Sequence, residues 1–331
     1  MEKQGQACIS KGHQMIKGLA ITPPILGRIS IGRVVEKNGK RLPEKDDQFT
    51  ITSQVQNRDG WVNHPLDDAL RQASAAEKLR SIPVQMLFNA PELNLRAEYS
   101  MFDRQSGRPL CVGNGETCRR YTETGVQSLP CPSPDACELA KGGMCKPYGR
   151  LNVKVGVDDE LGTFMFRTTG FNSIRTLTAR LSYYDAVSGG LLACLPLELR
   201  LRGKSTTMSH RSPIYYVDLT VREGITLEAA IEGAKQLDDR RKAAGYDQAA
   251  LDSAAREGLS NGAFEDGGDV IQGVLDEFFV PADGSADAGT LERELHTPTV
   301  GEPKPTLADK LGRKIVGRAQ VAITAPEHVS P

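Results

Sequence analysis

Apolar and polar residues alternate along PPILGRISIGRVVEKNGKRLPEKDDQFTITS, with Ile29, Ile31 and Val35 in one part and Phe49 and Ile51 in another. A period of two is that of a half-buried strand. Asn38-Gly39 between the two parts is a hairpin signal, and a connection longer than two residues is expected. In PLDDALRQASAAEKLR the period changes: Ala69, Leu70, Ala73 and Leu79, behind an acidic first turn, predict a helix over 65–80. Strands are expected at IPVQMLF, over Leu93 to Phe102, at RLNVKVGV and at GTFMFRTTG. FNSIRTLTARLSYYDAVSGG then reads as a helix, because Ile174, Leu177, Leu181 and Tyr184 recur at steps of three and four before Gly189-Gly190. LPLELRLRGKST and SPIYYVDLTVRE alternate again and predict two further strands.

Strands on both sides of a helix, joined by hairpins, predict an α+β fold with a mainly antiparallel sheet and few helices. From Thr226 the chain turns charged and alanine-rich, which predicts helix interrupted near Gly245, with Thr226 and Glu228 at its start. Beyond Gly262 it is acidic and rich in Gly, Ala and Asp, the composition of a disordered tail. The expected organisation is a flexible arm over 1–20, a core over 21–224, a helical extension over 225–262 and a largely disordered tail over 263–331. Within that tail DVIQGVLDEFFVP is an apolar island, and 269–280 is a candidate docking helix presenting Val274, Leu275, Phe278 and Phe279 to a partner. The other reading of the island is a last helix packed on the core.

The candidate chemistry is in the cysteines. Five of the seven, Cys111, Cys118, Cys131, Cys137 and Cys145, fall in one 35-residue window rich in Gly, Pro, Ser and Asn. Such a window is expected to form no regular helix or strand with a core of its own. A structural Zn2+ ion held by four thiolates would offset the entropy of ordering it. Cys131, Cys137 and Cys145 are the first three candidate ligands and Cys111 the fourth, while Cys118 either replaces Cys111 or stays a free thiol. A disulfide knot would need an oxidising compartment. Residues 1–28 contain neither the apolar run nor the small-residue cleavage site of a secretory signal, and no stretch approaches the about 18 apolar residues of a membrane span. A cytoplasmic protein without membrane contact is therefore expected. Cys194, inside LLACLPLEL, reads as an ordinary buried thiol.

Charge narrows the function class. The formal net charge of −1 lacks the basic excess expected of a protein that grips duplex DNA mainly through phosphates. Local basic groups remain as candidate nucleic-acid or partner contacts: Arg28 and Arg33 in the first hairpin, Arg119 and Arg120 beside Cys118, Arg167, Arg175, and Arg200, Arg202 and Lys204, which alternation sets on one side of a strand. For each of them the solvent face of a half-buried sheet is the competing reading. The five histidines are scattered, and no nucleophile elbow, phosphate loop or dinucleotide fingerprint occurs in its required setting. No enzyme activity is expected.

GRISIG, the CVGNGETCRR…CP…C…C cluster, RLNV directly after it, LGTFMFRTTGFNSIRTL, LPLELRLRGKST and YYVDL occur in that order. Together they resemble the recombination directionality factor-like family, over about residues 22–222. These are phage and mobile-element proteins that partner large serine integrases. The resemblance implies an accessory role: binding the integrase so that excision replaces integration. It also implies that the family's cysteine cluster falls on Cys111, Cys131, Cys137 and Cys145. The chain departs from the family in Cys118 and in its C-terminal third. The alternative is a nucleic-acid-binding accessory of mobile-element replication, annealing or repair, using the basic groups named above.

Overall fold

The computed structural model of the protein describes residues 24–37, 40–57, 60–74, 77–156, 162–205 and 213–258, with side chains left undescribed over 33–45. Among them the architecture is mixed α and β, built on a mostly antiparallel sheet. Its strands are β1 (Ile25–Lys37), β2 (Lys40–Asn57), β3 (Gly60–Asn63), β4 (Ser81–Gln85), β5 (Leu95–Phe102), β6 (Pro109–Gly113), β7 (Thr117–Thr122), β8 (Gly125–Pro130), β9 (Lys146–Val155), β10 (Thr163–Thr168), β11 (Leu197–Lys204) and β12 (Ile214–Val221). The helices are α1 (Pro65–Ser74), α2 (Pro91–Asn94), α3 (Ser133–Ala136), α4 (Phe171–Ser188), α5 (Leu227–Ala243) and α6 (Gln248–Gly258).

The main path of the sheet runs β3-β2-β1-β10-β9-β5-β6-β7-β8. β1 and β10 are parallel, and the remaining pairs are antiparallel. β9 branches the sheet: Leu151 pairs with Leu95 of β5, while Val155 pairs with Val84 of β4, which leads on to β11 and β12. β1 and β2 run on to a Lys37–Lys40 pair, so the connection is Asn38-Gly39 itself, shorter than the pattern predicted.

Alternation puts Ile29, Phe49, Ile51, Leu151, Val153, Phe164 and Phe166 on one face, where they are buried against Leu177 and Leu181 of α4. Gly149 lets the helix approach: a Cβ there would lie 2.9 Å from Ile174 Cγ1. α4 ends as its glycines predict. Gly189 takes φ 68° and the Gly190 N–H donates to Asp185 O at 3.0 Å, satisfying a last-turn carbonyl. α1 is shorter than expected, ending at Ser74. Leu79, counted as helical in the pattern, instead enters the core beside β2, and its carbonyl accepts from Phe49 N. The strand expected from Leu93 starts at Leu95, because Pro91 opens the single turn of α2.

The helical extension is part of the packing. Ala230 and Ala234 of α5 lie in the main core, and Thr226 caps the helix by accepting from Ala229 N at 3.2 Å. Ala255 of α6 joins a second cluster with Leu87, Phe88 and Leu93. Asp252 fixes that helix by accepting from the backbone N–H groups of Asn89 and Ala90 at 3.1 and 3.3 Å. The candidate docking helix over 269–280, with Val274, Leu275, Phe278 and Phe279, lies outside the described residues.

Candidate functional site: a thiol-bearing extension of the sheet

β5 and β9 are direct neighbours, and the chain between them, 103–145, carries all five clustered cysteines. The window, expected to form no regular helix or strand with a core of its own, does hold strands, as part of the main sheet. It forms the meander β6-β7-β8, hydrogen-bonded to the free side of β5. Strand pairing with an existing edge satisfies backbone groups that an isolated loop would leave to water, so a low-hydrophobicity segment can still be ordered. The β6–β7 turn is set by Asn114, whose Oδ1 accepts from Glu116 N at 2.9 Å and Thr117 N at 2.8 Å, with Gly115 at φ 99°.

Register then gathers the thiols. Cys111 lies opposite Arg120 and Gly113 opposite Cys118, which places all four on one face of the β6–β7 pair. A Cβ on Gly113 would stand 2.7 Å from Cys118 Cβ and 3.0 Å from Cys131 Sγ. The missing side chain therefore allows Cys131 to close over the strands, anchored by its N–H to Glu116 O at 2.8 Å. Cys137 follows α3, and its carbonyl accepts from Ala140 N at 3.0 Å. Cys145 directly precedes β9.

The thiols feel one another. Burial pushes the Cys145 thiol up to about 12, and Cys111, Cys131, Cys137 and Cys118 add to the rise. Burial, followed by a hydrogen bond with Cys111, takes Cys118 up to about 11. The Tyr99 hydroxyl is raised by burial and by Asp135, Cys131 and Cys145. The guanidinium of Arg120 faces the same cluster, hydrogen-bonded to Cys111 and 3.9 Å from Cys118 Sγ. Every described cysteine is a free thiol. Among the described residues no three His, Cys, Asp or Glu side chains stand in a geometry that could hold a metal ion. The five sulfurs are neighbours within electrostatic reach, and four thiols of this set are the donor chemistry that Zn2+ takes.

Other candidates fall elsewhere. Arg28 is buried in the sheet with its guanidinium 3.8 Å from the centre of the Trp61 ring. Arg33 pairs in β1 with Glu44 of β2. Arg119 lies on the face of β7 opposite to the cysteines. Arg167 is buried, its Nε donating to Met165 Sδ at 3.1 Å. Arg175 is exposed on α4. Arg200, Arg202 and Lys204 do share one side of β11, but carboxylates of the sheet and of the turn after β12 engage the arginines. Arg200 donates to Glu198 and Glu223 at 2.9 Å each, and Arg202 to Asp218 at 3.4 Å. Lys204 donates to Asn172 at 2.7 Å. Cys194 is buried, as expected of an ordinary core thiol.

Two features escaped sequence reasoning: the convergence of Tyr99 and Arg120 on the cysteines, and a row of arginines, Arg96, Arg150 and Arg167, on the sheet face away from α4, of which the last two are buried. Alternation in RLNV and LRAEYS held the signal for the second, but only strand order shows which rows align.

Fold and site together define a mixed α/β protein whose mostly antiparallel sheet carries a five-thiol extension. Residues 26–222 match the Gp3-like, recombination directionality factor-like family, and the chain belongs to that family. The match ends beside the last strand, so α5 and α6 lie beyond it. No curated protein and no solved structure matches the chain. No described helix is long and apolar enough to cross a membrane.

Proposed function

We propose that the protein is a recombination accessory that binds a serine integrase and favours excision over integration. Family membership over 26–222 is the observation that carries this reading. The role needs a partner surface and no bond chemistry. A ligand that prefers one synaptic arrangement by ~3 kcal/mol shifts the balance of products by roughly two powers of ten. The test is recombination in vitro by a serine integrase from the same element, on free-site and integrated-end substrates, with and without the purified protein. Stimulated excision with suppressed integration is expected; an unchanged ratio of products overturns the reading.

In the same proposal Cys111, Cys131, Cys137 and Cys145 hold a structural zinc ion, with Cys118 the alternative fourth ligand. The ion would supply cross-linking of the extension and no reaction chemistry. The cluster's mutual contacts and its Gly113 close approach support this assignment. Metal analysis of the purified chain should give one zinc per molecule. Cys131→Ser should lose it, and tight chelation should make the clustered thiols reactive while the α4 core stays folded. Full zinc content in Cys131→Ser sinks the ligand set.

A second reading, a nucleic-acid-binding accessory, rests on the exposed Arg175 of α4 and Arg202 of β11, since Arg28 and Arg167 are buried. Steeply salt-dependent DNA binding would favour it over the first.

A further inference from the structure

Five thiols exceed what a tetrahedral ion takes, and strand register sets one of them apart. Two lateral rows cross the thiol-bearing face of the sheet. Tyr99 of β5, Gly113 of β6, Cys118 of β7 and Leu129 of β8 form one, and Met101, Cys111, Arg120 and Gln127 form the next. Cys111 therefore receives two neighbours from β7: Arg120 from directly across the pair and Cys118 from the diagonal.

The contacts of Cys118 are those of a protonated thiol. Its Sγ donates to Pro130 O at 3.7 Å, and the side chain is hydrogen-bonded to Cys111. A metal-bound sulfur has no proton to give a carbonyl and would face that oxygen's lone pairs instead. Cys118 is only 3% exposed, so water does not take over the contact. Cys145 also feels Cys111, Cys131 and Cys137 more strongly than it feels Cys118.

Arg120 has the opposite character. Of the two cations in β6–β8, Arg119 faces away from the cysteines and Arg120 shares their face. Its guanidinium is hydrogen-bonded to Cys111, and its Nη2 lies 3.9 Å from Cys118 Sγ. Its Nε is buried and has no hydrogen-bond partner among the described residues. A neutral thiol is a weak acceptor for such donors, whereas a thiolate takes a charge-assisted bond. Four thiolates outnumber the charge of one Zn2+ ion, and a guanidinium at hydrogen-bond distance offsets part of the excess.

We infer that Arg120 is a positioning residue that holds the Cys111 thiolate and offsets the charge of the ligand set, and that Cys118 stands beside it as a thiol outside that set. The inference rests on the zinc reading of Cys111, Cys131, Cys137 and Cys145 and narrows it, because Cys118 is no longer an alternative fourth ligand. Arg120 then governs how firmly the ion is retained, not how many sulfurs bind it.

The test compares full-length wild type, Cys118→Ser, Arg120→Gln and Arg120→Lys, each loaded with zinc. Zinc content is measured first, and then the rate of zinc transfer to a chromogenic chelator. Cys118→Ser should keep one zinc per molecule, and its cobalt(II) form should show the sulfur-to-cobalt charge-transfer intensity of wild type. Arg120→Gln should also keep one zinc but surrender it about 10–100-fold faster. Arg120→Lys retains the charge without the planar fork and should fall between. Should Arg120→Gln not fold, Arg120→Lys carries the same comparison. A merely structural arginine would move the denaturation midpoint and leave the transfer rate alone. Loss of zinc or of charge-transfer intensity in Cys118→Ser overturns the inference, and so does wild-type transfer from the Arg120 variants. A wild-type chain that holds no zinc overturns the ligand reading itself, and this inference with it.

Discussion

Around α4 the sheet contributes Ile29, Phe49, Ile51, Leu151, Phe164 and Phe166 to one continuous apolar cluster, and most of these side chains are fully buried. Further along the same strand ladder, β6–β8 contribute thiols, turn residues and side chains that face water: Tyr121 is 63% and Val126 is 42% exposed. Both regions share backbone hydrogen bonds through β5. The first is held by burial of apolar surface, which is non-directional and tolerant of detail. The second is held by register and by close approaches at single positions, where one added carbon matters.

The sharpest way to break the contrast is a large cavity in the first region. Leu177→Ala should cost about 2–5 kcal/mol of global stability, read from the midpoint of chemical denaturation. A loss confined to the meander would show that the two regions unfold independently. Gly113→Val should act in the opposite manner. Its Cβ would meet Cys118 Cβ at 2.7 Å and Thr117 O at 2.8 Å, both on backbone-anchored groups. A local cost of about 1–3 kcal/mol is expected, seen as faster alkylation of Cys118 and Cys131 with the global midpoint little changed. Unchanged thiol reactivity would show that the meander has room the geometry denies.

The smallest effect sharpens the comparison at the surface of the core. Hydrogen bonds from Lys78 hold the Asp46 carboxyl below the usual carboxylate range, and Lys78 and Arg80 do the same for Asp47. A carboxyl whose folded value is depressed contributes stability that is fully present above its unfolded value of 3.8 and fades as pH falls through the folded one. Asp47→Asn should therefore lower stability slightly at neutral pH, with the difference from wild type fading as pH falls below 3.8 through the folded value. Lys78 and Arg80 are substantially solvent-exposed, so screening keeps the effect small. An equal loss at every pH would mean a packing role instead.

Much of the core was legible along the chain because its signals are local. Period two in GRISIG fixed the apolar side of β1, and steps of three and four with Gly189-Gly190 fixed α4 and its end. Thr226 marked the start of α5. The meander was missed because its strands carry little apolar alternation, and their order comes from pairing with β5.

The sequence by itself determined the α+β class, the apolar face of each strand, the clustering of five thiols in one window and the family over 26–222. Tertiary structure alone decided that Cys118 stands beside Cys111 through a diagonal across β6 and β7. It alone decided that Arg200 and Arg202 are engaged by carboxylates of their own sheet, and that Arg96, Arg150 and Arg167 fall into one row in which the last two are buried. The reason is the same in each case. Periodicity is a property of one segment, whereas neighbours across a sheet are set by strand order and register, which join positions as far apart as Arg96 and Arg150.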